Sequence, residues 1–179
     1  KHHCNTISYS VENTPADYRA TDVNYSPLST SFAIDIRGDI NEGYVTHLAG
    51  RGNILNLLAA IAVADELGVP ASMQRRAIRQ IEQIEHRLSV KRTAGGVTII
   101  DDAYNSNPTG AKMALEVLRD FRRAEGGRRI VVTPGFVELG ERQAELNHEL
   151  GKVMASACDI AIVVNKVNRE AISSGIAEA

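Results

Sequence analysis

Two adjacent carboxylates, Asp101 and Asp102, end an apolar run and open a polar segment that reads TIIDDAYNSNP over residues 98–108. Like charges at the end of a buried strand repel each other unless they meet water, a cation or a ligand. Such carboxylates can accept hydrogen bonds from ribose hydroxyls or hold Mg²⁺, and the polar residues behind them offer amides at a helix start. A helix-capping loop with Asn107 as the cap is the alternative. Because that alternative leaves the two aspartates and Tyr104 unexplained, we predict a ligand site here.

A second candidate is AGRGNILN at residues 49–56, which follows a predicted strand and opens a predicted helix. Backbone N–H groups at a helix start can hold an anion. The glycines resemble a dinucleotide fingerprint only weakly, because the third glycine is absent. A glycine turn with Asn53 as the N-cap is the alternative interpretation of Gly50 and Gly52. Asn56 is different, since a polar side chain among leucines and isoleucines is expected to need a buried partner or a ligand.

The elements that position these motifs change in type along the chain. Residues 7–49 are predicted as β structure, because segments such as TSFAIDI alternate apolar and polar positions. Residues 53–67 then show helical periodicity, which Gly68 and a following proline end. A second helix is predicted from Ser72, as its N-cap, to about residue 85.

The remaining residues alternate between short apolar strands and helices. The strands are GVTIID, RRIVVTPG and DIAIVVN, and the helices begin near Pro108, Glu141 and Asn168. This pattern indicates a parallel, doubly wound sheet, in which ligands bind beyond the carboxyl ends of the strands. The predicted ligand site at Asp101 and Asp102 lies at such an end.

Composition narrows the class of protein. Hydrophobic residues make up 44% of the 179 residues and charged residues 23%, which is typical of globular domains. The net charge of −2 implies no general attraction to nucleic acid or anionic membranes. No apolar stretch is long enough to span a bilayer, and two cysteines are too few for a disulfide framework. We therefore expect a protein of the reducing cytoplasm.

Four stretches together resemble the Mur ligase family. They are GRGNILNLLAAIAVADELGVP, HRL, GVTIIDDAYNSNPTGAKMALEVL and ELGERQAELNHELG. The likeness covers most of the chain from about Ala16 onward, and the DDAYNSNP block is specific to the branch that adds D-alanyl-D-alanine to the UDP-muramoyl tripeptide.

The resemblance implies a fold and a division into domains. Enzymes of this family have a UDP-substrate domain, a central ATPase domain and a C-terminal Rossmann-like domain. Residues 1–84 match the C-terminal part of the central domain, and residues 85–179 match an incomplete C-terminal domain. The fold class expected is therefore α/β, the end of a central ATPase domain followed by a Rossmann-like, mainly parallel β/α domain.

The resemblance also implies an activity: an ATP-dependent, amide-bond-forming ligase of peptidoglycan precursor synthesis. Such an enzyme activates a carboxylate as an acyl phosphate, which the amine of an incoming amino acid or dipeptide attacks. Its cofactors would be ATP and Mg²⁺, and its partners a UDP-muramoyl peptide, the amino substrate and the remaining N-terminal and central portions of the same enzyme. No nucleic acid or membrane partner is expected.

Site residues follow from the same resemblance. Near the nucleotide it places the asparagines of the helix start, the arginine after the interdomain hinge and the aspartate and tyrosine of the DDAYN loop, which here are Asn53, Asn56, Arg87, Asp102 and Tyr104. Toward the incoming amino substrate it places Asn105 and Asn107. No metal ligand and no catalytic residue is expected among residues 1–179.

The chain departs from the family pattern at two places. Gly52 stands where the family usually has histidine, which removes one polar contact with the nucleotide. TPGFVELG replaces the more usual LGDMLELG, so contacts to the incoming substrate are expected to differ.

Residues 1–179 contain no G-x-x-x-x-G-K-[ST] phosphate loop, so we expect these residues alone to be inactive as a ligase. Two other interpretations stay open. One is a Rossmann-type nucleotide-binding module, which would bind NAD without ATP. The other is a non-catalytic homologue of the family.

Overall fold

A computed structural model describes residues 5–26, 28–104, 106–121 and 126–179. The chain divides into two compact units, residues 1–99 and 100–179. This is a division by packing, and the domain boundary expected between residues 84 and 85 stays a prediction.

The first unit contains a four-stranded sheet. Strand β1 runs parallel to β2, and the pairs β2–β3 and β3–β4 are antiparallel. Apolar and polar residues alternate along β3, as its sequence predicts. The strands are β1 (Tyr9–Ser10), β2 (Tyr18–Tyr25), β3 (Thr30–Ile36) and β4 (Asp39–Thr46).

Helix α1 (Arg51–Glu66) packs on this sheet through the apolar side chains that its period places on one face. Ile54, Leu58 and Ile61 are almost completely buried, together with Phe32 and Ile34 of the sheet. This core fixes the start of α1, and with it the AGRGNILN motif.

The second helix, α2 (Ala71–Arg79), differs from its prediction at both ends. Pro70 is the N-cap rather than Ser72, and the helix ends before the predicted residue 85. Proline suits this position because its fixed φ is compatible with a helix start. It also has no backbone N–H, which would lack a partner at the first turn. Beyond the helix, the side chain of Gln83 accepts a hydrogen bond from the backbone N–H of Val90, which ties this segment to the next strand.

The rest of the chain follows the predicted alternation. Strands β5 (Ser89–Arg92) and β6 (Thr98–Asp101) form a two-stranded sheet, and β6 runs across the division between the units. The elements that follow are α3 (Pro108–Asp120), β7 (Ile130–Thr133), a short 3₁₀ helix (Gly140–Arg142), α4 (Gln143–Ala157), β8 (Ile160–Val163) and α5 (Arg169–Glu178).

Strands β7 and β8 are parallel, with Ile130 opposite Ile160 and Val132 opposite Ile162. The alternate residues, including Val131 and Ala161, pack with α3, α4 and α5 in the core of the second unit. The mixed α/β fold with parallel strands confirms the predicted fold class.

The opposite face of the β7–β8 sheet is apolar and exposed. Ile130 is 45% exposed, Val132 63% and Ile162 47%. One face of this sheet therefore carries helices, whereas the other presents branched aliphatic side chains.

Helices α4 and α5 approach each other at two glycines. A Cβ at Gly151 would lie 2.2 Å from the carbonyl oxygen of Ile172, and a Cβ at Gly175 would lie 2.0 Å from that of His148. Only glycine permits this contact between backbones, because real Cβ atoms essentially never come so close to another atom. The approach fixes Asn147, which precedes His148, relative to Asn168, which precedes α5.

Candidate functional site

The first group of predicted site residues lies at the start of α1. Gly50 is the N-cap and has φ 84°, a left-handed conformation that glycine adopts without strain. Asn53 is therefore not the N-cap. Its side-chain Nδ2 instead donates a 2.8 Å hydrogen bond back to the carbonyl oxygen of Ala49. This bond holds the Asn53 amide against the turn that precedes the helix.

Asn56 lies on the exposed face of α1, whereas its neighbours Ile54, Leu57 and Leu58 are buried. The argument that Asn56 needs a buried partner is therefore wrong. A helix turns about 100° per residue, so a single polar residue inside an apolar run can face solvent. The assignment of Asn56 to the nucleotide stays a prediction from the family resemblance.

Arg87 lies in a bent segment between α2 and β5. Its neighbours His86 and Leu88 have φ values of 61° and 52°, and neither is glycine. The backbone N–H of Arg87 donates a 3.2 Å hydrogen bond to the carbonyl oxygen of Ile84, which closes the turn. Two left-handed residues around an exposed arginine are unusual, and such backbone conformations concentrate at functional sites.

The second group follows β6. Asp101 and Asp102 are half-buried, and Asp101 Oδ1 accepts a 3.2 Å hydrogen bond from the backbone N–H of Ala103. Tyr104 is 66% exposed, so its ring is available to a ligand. Strand β6 thus ends at Asp101, whose carboxylate binds the backbone just beyond the strand, and Asp102 is the next residue.

Asn107 caps α3, as the alternative interpretation of this loop predicts. Its Oδ1 accepts a 2.9 Å hydrogen bond from the backbone N–H of Gly110, and Pro108 follows at the first helical position. The residue is exposed, so its amide Nδ2 remains accessible while the oxygen caps the helix. Asn105, the other residue predicted to face the amino substrate, lies outside the described residues.

The third feature is the loop after β7, where an asparagine from α4 binds the backbone. Asn147 is 0% exposed. Its Oδ1 accepts a hydrogen bond from the backbone N–H of Phe136 at 2.8 Å, and its Nδ2 donates to the carbonyl oxygens of Phe136 at 3.0 Å and Gln143 at 2.8 Å.

A second buried asparagine binds the same loop. Asn168 is 2% exposed, and its Nδ2 donates 2.9 Å hydrogen bonds to the carbonyl oxygens of Pro134 and Phe136. Its Oδ1 accepts a 3.1 Å hydrogen bond from Gln143 Nε2. We call Gln143, Asn147 and Asn168 together the amide clamp. Because the clamp satisfies the loop backbone, these polar groups can be buried.

The sequence gives little sign of the amide clamp. Asn147 and Asn168 look like ordinary polar residues of a helix and a helix start, and Gly135 looks like an ordinary turn residue. One signal was available: Asn147 falls among the buried positions of α4, with Leu150 and Met154 on the same helical face.

The predicted nucleotide and substrate residues divide between the two units. Asn53, Asn56 and Arg87 belong to the first, whereas Asp102, Tyr104 and Asn107 belong to the second.

Neither a cluster of metal-binding side chains nor a membrane-spanning helix is found among the described residues. They contain no group of three or more His, Cys, Asp or Glu residues that could hold a metal ion. Of the described helices, none combines the length and the apolar character that crossing a bilayer requires.

Two family models match the sequence. The glutamate ligase domain of Mur ligases matches residues 86–179, and the Mur ligase middle domain matches residues 1–64. The first of these matches spans more than half of the chain.

Curated relatives include two kinds of ligase. The UDP-N-acetylmuramoyl-tripeptide–D-alanyl-D-alanine ligase of Bacillus subtilis (strain 168) is 29% identical over 85% of this chain and 32% of its own length. The UDP-N-acetylmuramate–L-alanine ligase of Anaeromyxobacter sp. (strain Fw109-5) is 38% identical over 58% of this chain and 22% of its own length. The chain thus spans between about a fifth and a third of the length of these two relatives.

Solved structures show the same fold. A crystal structure of MurF from Acinetobacter baumannii has a TM-score of 0.79 and 26% identity, and the match covers 96% of this chain and 36% of that one. MurF ligase from Thermotoga maritima, crystallised in complex with ADP, has a TM-score of 0.76 and 23% identity, with 94% and 37% covered.

Proposed function

The chain belongs to the Mur ligase family, and from that premise we propose that it is part of an ATP-dependent ligase of peptidoglycan precursor synthesis. The enzyme would add D-alanyl-D-alanine, or a related amino substrate, to a UDP-muramoyl peptide through an acyl phosphate. The observation that carries this choice is the likeness to the Bacillus subtilis ligase, which extends over 85% of the chain.

In this proposal the described residues bind and orient the reactants. Asp102, half-buried at the end of β6, would accept hydrogen bonds from the ribose hydroxyls, and the exposed ring of Tyr104 would lie against the nucleotide. Asn53, Asn56 and Arg87 would supply further polar contacts to it. Asn107 keeps its amide group accessible, so it would donate to the amino substrate.

ATP, when bound, supplies the phosphoryl group that activates the carboxylate. The described residues suit binding of its nucleoside part, because a half-buried carboxylate and an exposed aromatic ring follow the same strand. That no ligand of Mg²⁺ lies among residues 1–179 stays a prediction, because Mg²⁺ is commonly held by one or two carboxylates together with water and substrate phosphates. The contribution of these residues is to hold reactants in a reactive geometry, which lowers the entropic part of the barrier.

A second candidate function is the addition of L-alanine to UDP-N-acetylmuramate. The specific observation in its favour is the 38% identity to the Anaeromyxobacter ligase, which is higher than the identity to the Bacillus enzyme but extends over a shorter part of the chain.

The experiment compares the two substrate pairs directly. The natural polypeptide that contains this chain is purified and supplied with Mg²⁺-ATP and either UDP-muramoyl tripeptide with D-alanyl-D-alanine or UDP-N-acetylmuramate with L-alanine. We expect ligated product and ADP with the first pair. Product with the second pair alone would replace the proposed substrate, and no ATP-dependent product with either would contradict the ligase assignment.

The nucleotide site is tested by Asp102→Ala in the same polypeptide. Loss of a charge-assisted hydrogen bond should weaken ATP binding by roughly 1.5–3 kcal/mol. The matched control is Asp120→Ala at the end of α3, where an exposed aspartate pairs with Arg119. Equal ATP affinity in the wild type and Asp102→Ala would remove Asp102 from the site.

A further inference from the structure

Two buried threonines hold the short connection between β4 and α1. Thr30 of β3 lies directly opposite Thr46 of β4 in the sheet register, and the two residues are 1% and 0% exposed. Thr30 Oγ1 donates a 2.9 Å hydrogen bond to the carbonyl oxygen of Leu48, and Thr46 Oγ1 accepts a 3.2 Å hydrogen bond from the backbone N–H of the same residue. We call Thr30 and Thr46 together the threonine pair. Both polar groups of one backbone residue are thus bound by side chains of the sheet.

The threonine pair anchors a segment that lacks regular structure. Residues 47–50 lie between the end of β4 and the start of α1, and none of them belongs to a strand or a helix. Ala49 and Gly50 are buried nonetheless, so the segment must satisfy its backbone groups within the protein. Hydrogen bonds from buried hydroxyls hold such a segment firmly, because water does not compete for them. The backbone that enters the AGRGNILN motif is therefore bound to the sheet.

The anchored backbone in turn holds the side chain of Asn53. Ala49 follows Leu48 directly, and its carbonyl oxygen accepts the 2.8 Å hydrogen bond from Asn53 Nδ2. This bond sets the orientation of the Asn53 amide, because the nitrogen must face Ala49 and the oxygen must face away from it. Among the residues that the structure describes, none donates a hydrogen bond to Asn53 Oδ1, and Asn53 is only half-buried. This oxygen is therefore the group that Asn53 offers to a ligand.

We propose that Thr30 and Thr46 are positioning residues for the nucleotide: they hold the backbone that fixes the Asn53 amide, whose Oδ1 then accepts a hydrogen bond from ATP. This inference rests on the proposed function, which assigns Asn53 to the nucleotide. The two hydroxyl groups are buried and bound to Leu48, so they act through Asn53 rather than on the ligand. ATP meets an amide that is already oriented, so the entropic cost of ordering this side chain falls on folding rather than on binding.

Calorimetric titration of the natural polypeptide that contains this chain with Mg²⁺-ATP tests the proposal. Thr30→Val and Thr46→Val keep the branched shape but remove the hydroxyl group. Each should raise the dissociation constant of ATP roughly 3- to 10-fold, because loss of one hydrogen bond loosens the backbone that holds Asn53. KM for the amino substrate should change less than about twofold, since Asn53 is not assigned to it. A hydroxyl group with only a structural role would lower the stoichiometry of binding and leave the dissociation constant unchanged.

Two kinds of control isolate the hydroxyl groups. Thr30→Ser and Thr46→Ser keep the hydroxyl and lose only a methyl group, so both should bind ATP as the wild type does. Thr21→Val makes the same change in β2 of the same sheet, where the threonine Oγ1 is buried and has no hydrogen-bond partner among the described residues. It should leave the dissociation constant unchanged. A rise equal to that of Thr30→Val would attribute the effect to the sheet as a whole and overturn the proposal.

A double-mutant cycle shows whether the threonine pair acts through Asn53. Asn53→Ala should raise the dissociation constant of ATP on the order of 10-fold, because the accepting oxygen is lost. Adding Thr46→Val to this variant should raise the constant less than about twofold further, since no amide remains to be oriented. A full further rise would show that Thr46 acts by another route, which overturns its positioning role.

A measurement on the wild type does not depend on whether the variants fold. If the threonine pair orients Asn53 in advance, the NMR order parameter of the Asn53 side-chain amide should be near the value of about 0.85 found for rigid backbone before ATP is added. A value below about 0.6 that rises only when ATP is added would overturn the proposal.

Failure of the proposed function is distinguishable from failure of this inference. If the wild type neither binds ATP nor forms an ATP-dependent product, both fail. If the wild type binds ATP but Asn53→Ala leaves the dissociation constant unchanged, the inference alone is overturned. The same holds if Asn53→Ala weakens binding while both valine variants bind ATP as the wild type does.

Discussion

Two loops of the second unit follow a strand and lead into a helix, yet they are held in different ways. In the loop after β6, Asp101 and Asn107 bind backbone N–H groups two and three residues further along the chain. In the loop after β7, Asn147 and Asn168 bind Phe136 from 11 and 32 residues away. The first loop thus carries local bonds from exposed or half-buried side chains, whereas the second is bound by buried side chains from other elements.

This difference separates two tasks that a binding loop performs. Residues that meet a ligand must be accessible, and the residues proposed for that task in the loop after β6 are exposed or half-buried polar side chains. Residues that hold a loop in place are most effective when their hydrogen bonds are buried, because water competes for exposed hydrogen bonds. They therefore come from the core, in this case from α4 and the residue before α5.

The largest expected effect is on stability, when one glycine at each loop is replaced by alanine and so gains one methyl group. Gly135→Ala should destabilise the second unit by roughly 3–4 kcal/mol, because overpacking against Asn147 adds to the strain of alanine at φ 75°. Gly110→Ala is the comparison for the first loop, made in the first turn of α3, where the new Cβ would lie 3.3 Å from the exposed Asn107 side chain that ends the loop. It should leave stability unchanged or raise it by up to about 1 kcal/mol.

Urea unfolding of both variants, followed by far-UV circular dichroism, measures this contrast. Similar losses in the two variants would contradict the view that only the loop after β7 is sterically closed.

A smaller difference in stability is expected when one asparagine is removed from each loop, Asn147 from the loop after β7 and Asn107 from the loop after β6. Asn147→Ala should cost roughly 2–3 kcal/mol of the free energy of unfolding, because the buried backbone N–H of Phe136 loses its hydrogen-bond partner. Asn107→Ala should cost about 1 kcal/mol, the usual effect of losing an N-cap. Unfolding free energies in the same buffer give the comparison, and an Asn107→Ala loss equal to that of Asn147→Ala would remove it.

The smallest effect concerns pH and compares the clamp with an ionic contact of the first unit. The backbone N–H of Ser8 donates to Asp17 Oδ2 at 2.8 Å, the same distance as that from Phe136 N–H to Asn147 Oδ1. Hydrogen bonds from Ser8, with help from Arg37, lower the pKa of Asp17 from 3.8 to about 2. The Asp17 contact is therefore fully formed above about pH 4 and is lost as the pH falls through about 2.

Amide nitrogen shifts measured by NMR between pH 6 and 2 test this difference. The Ser8 signal should titrate with a midpoint near pH 2. The Phe136 signal should stay constant, because its acceptor, the side-chain amide of Asn147, does not ionise in this range. Asp17→Asn should abolish the Ser8 titration. A Phe136 signal that titrates with the same midpoint would show that the two contacts are coupled.

Sequence periodicity predicts most elements of this fold, and for a physical reason. The apolar stripe of α1 and the alternation of apolar and polar residues along β3 indicate which face of each element is buried. Both patterns lie within a short stretch of sequence, so they can be recognised without tertiary structure. The end of α2 escapes this reasoning, because a bond between Gln83 and Val90 replaces the last turns of the predicted helix. Tertiary contacts of this kind have no local signature.

The same distinction, between features with a local sequence pattern and features that depend on tertiary contacts, applies to the residues of the candidate site. Asp102, Tyr104 and Asn107 are conspicuous because polar residues after an apolar strand have few structural explanations, and the resemblance assigns their roles. Asn56 shows the opposite, since counting its apolar neighbours predicts burial whereas helix geometry places it in solvent. The amide clamp was missed because its members are conspicuous only once the loop that they bind is known.

The exposed face of the β7–β8 sheet has a consequence for how these residues behave in solution. Ile130, Val132 and Ile162 form an exposed aliphatic surface on short strands, and surfaces of this kind promote self-association. Sulfate strengthens such contacts because it is excluded from apolar surface. A polypeptide of residues 1–179 should therefore salt out at a lower ammonium sulfate concentration than its Val132→Thr variant, which keeps β-branching but adds a hydroxyl group to that surface.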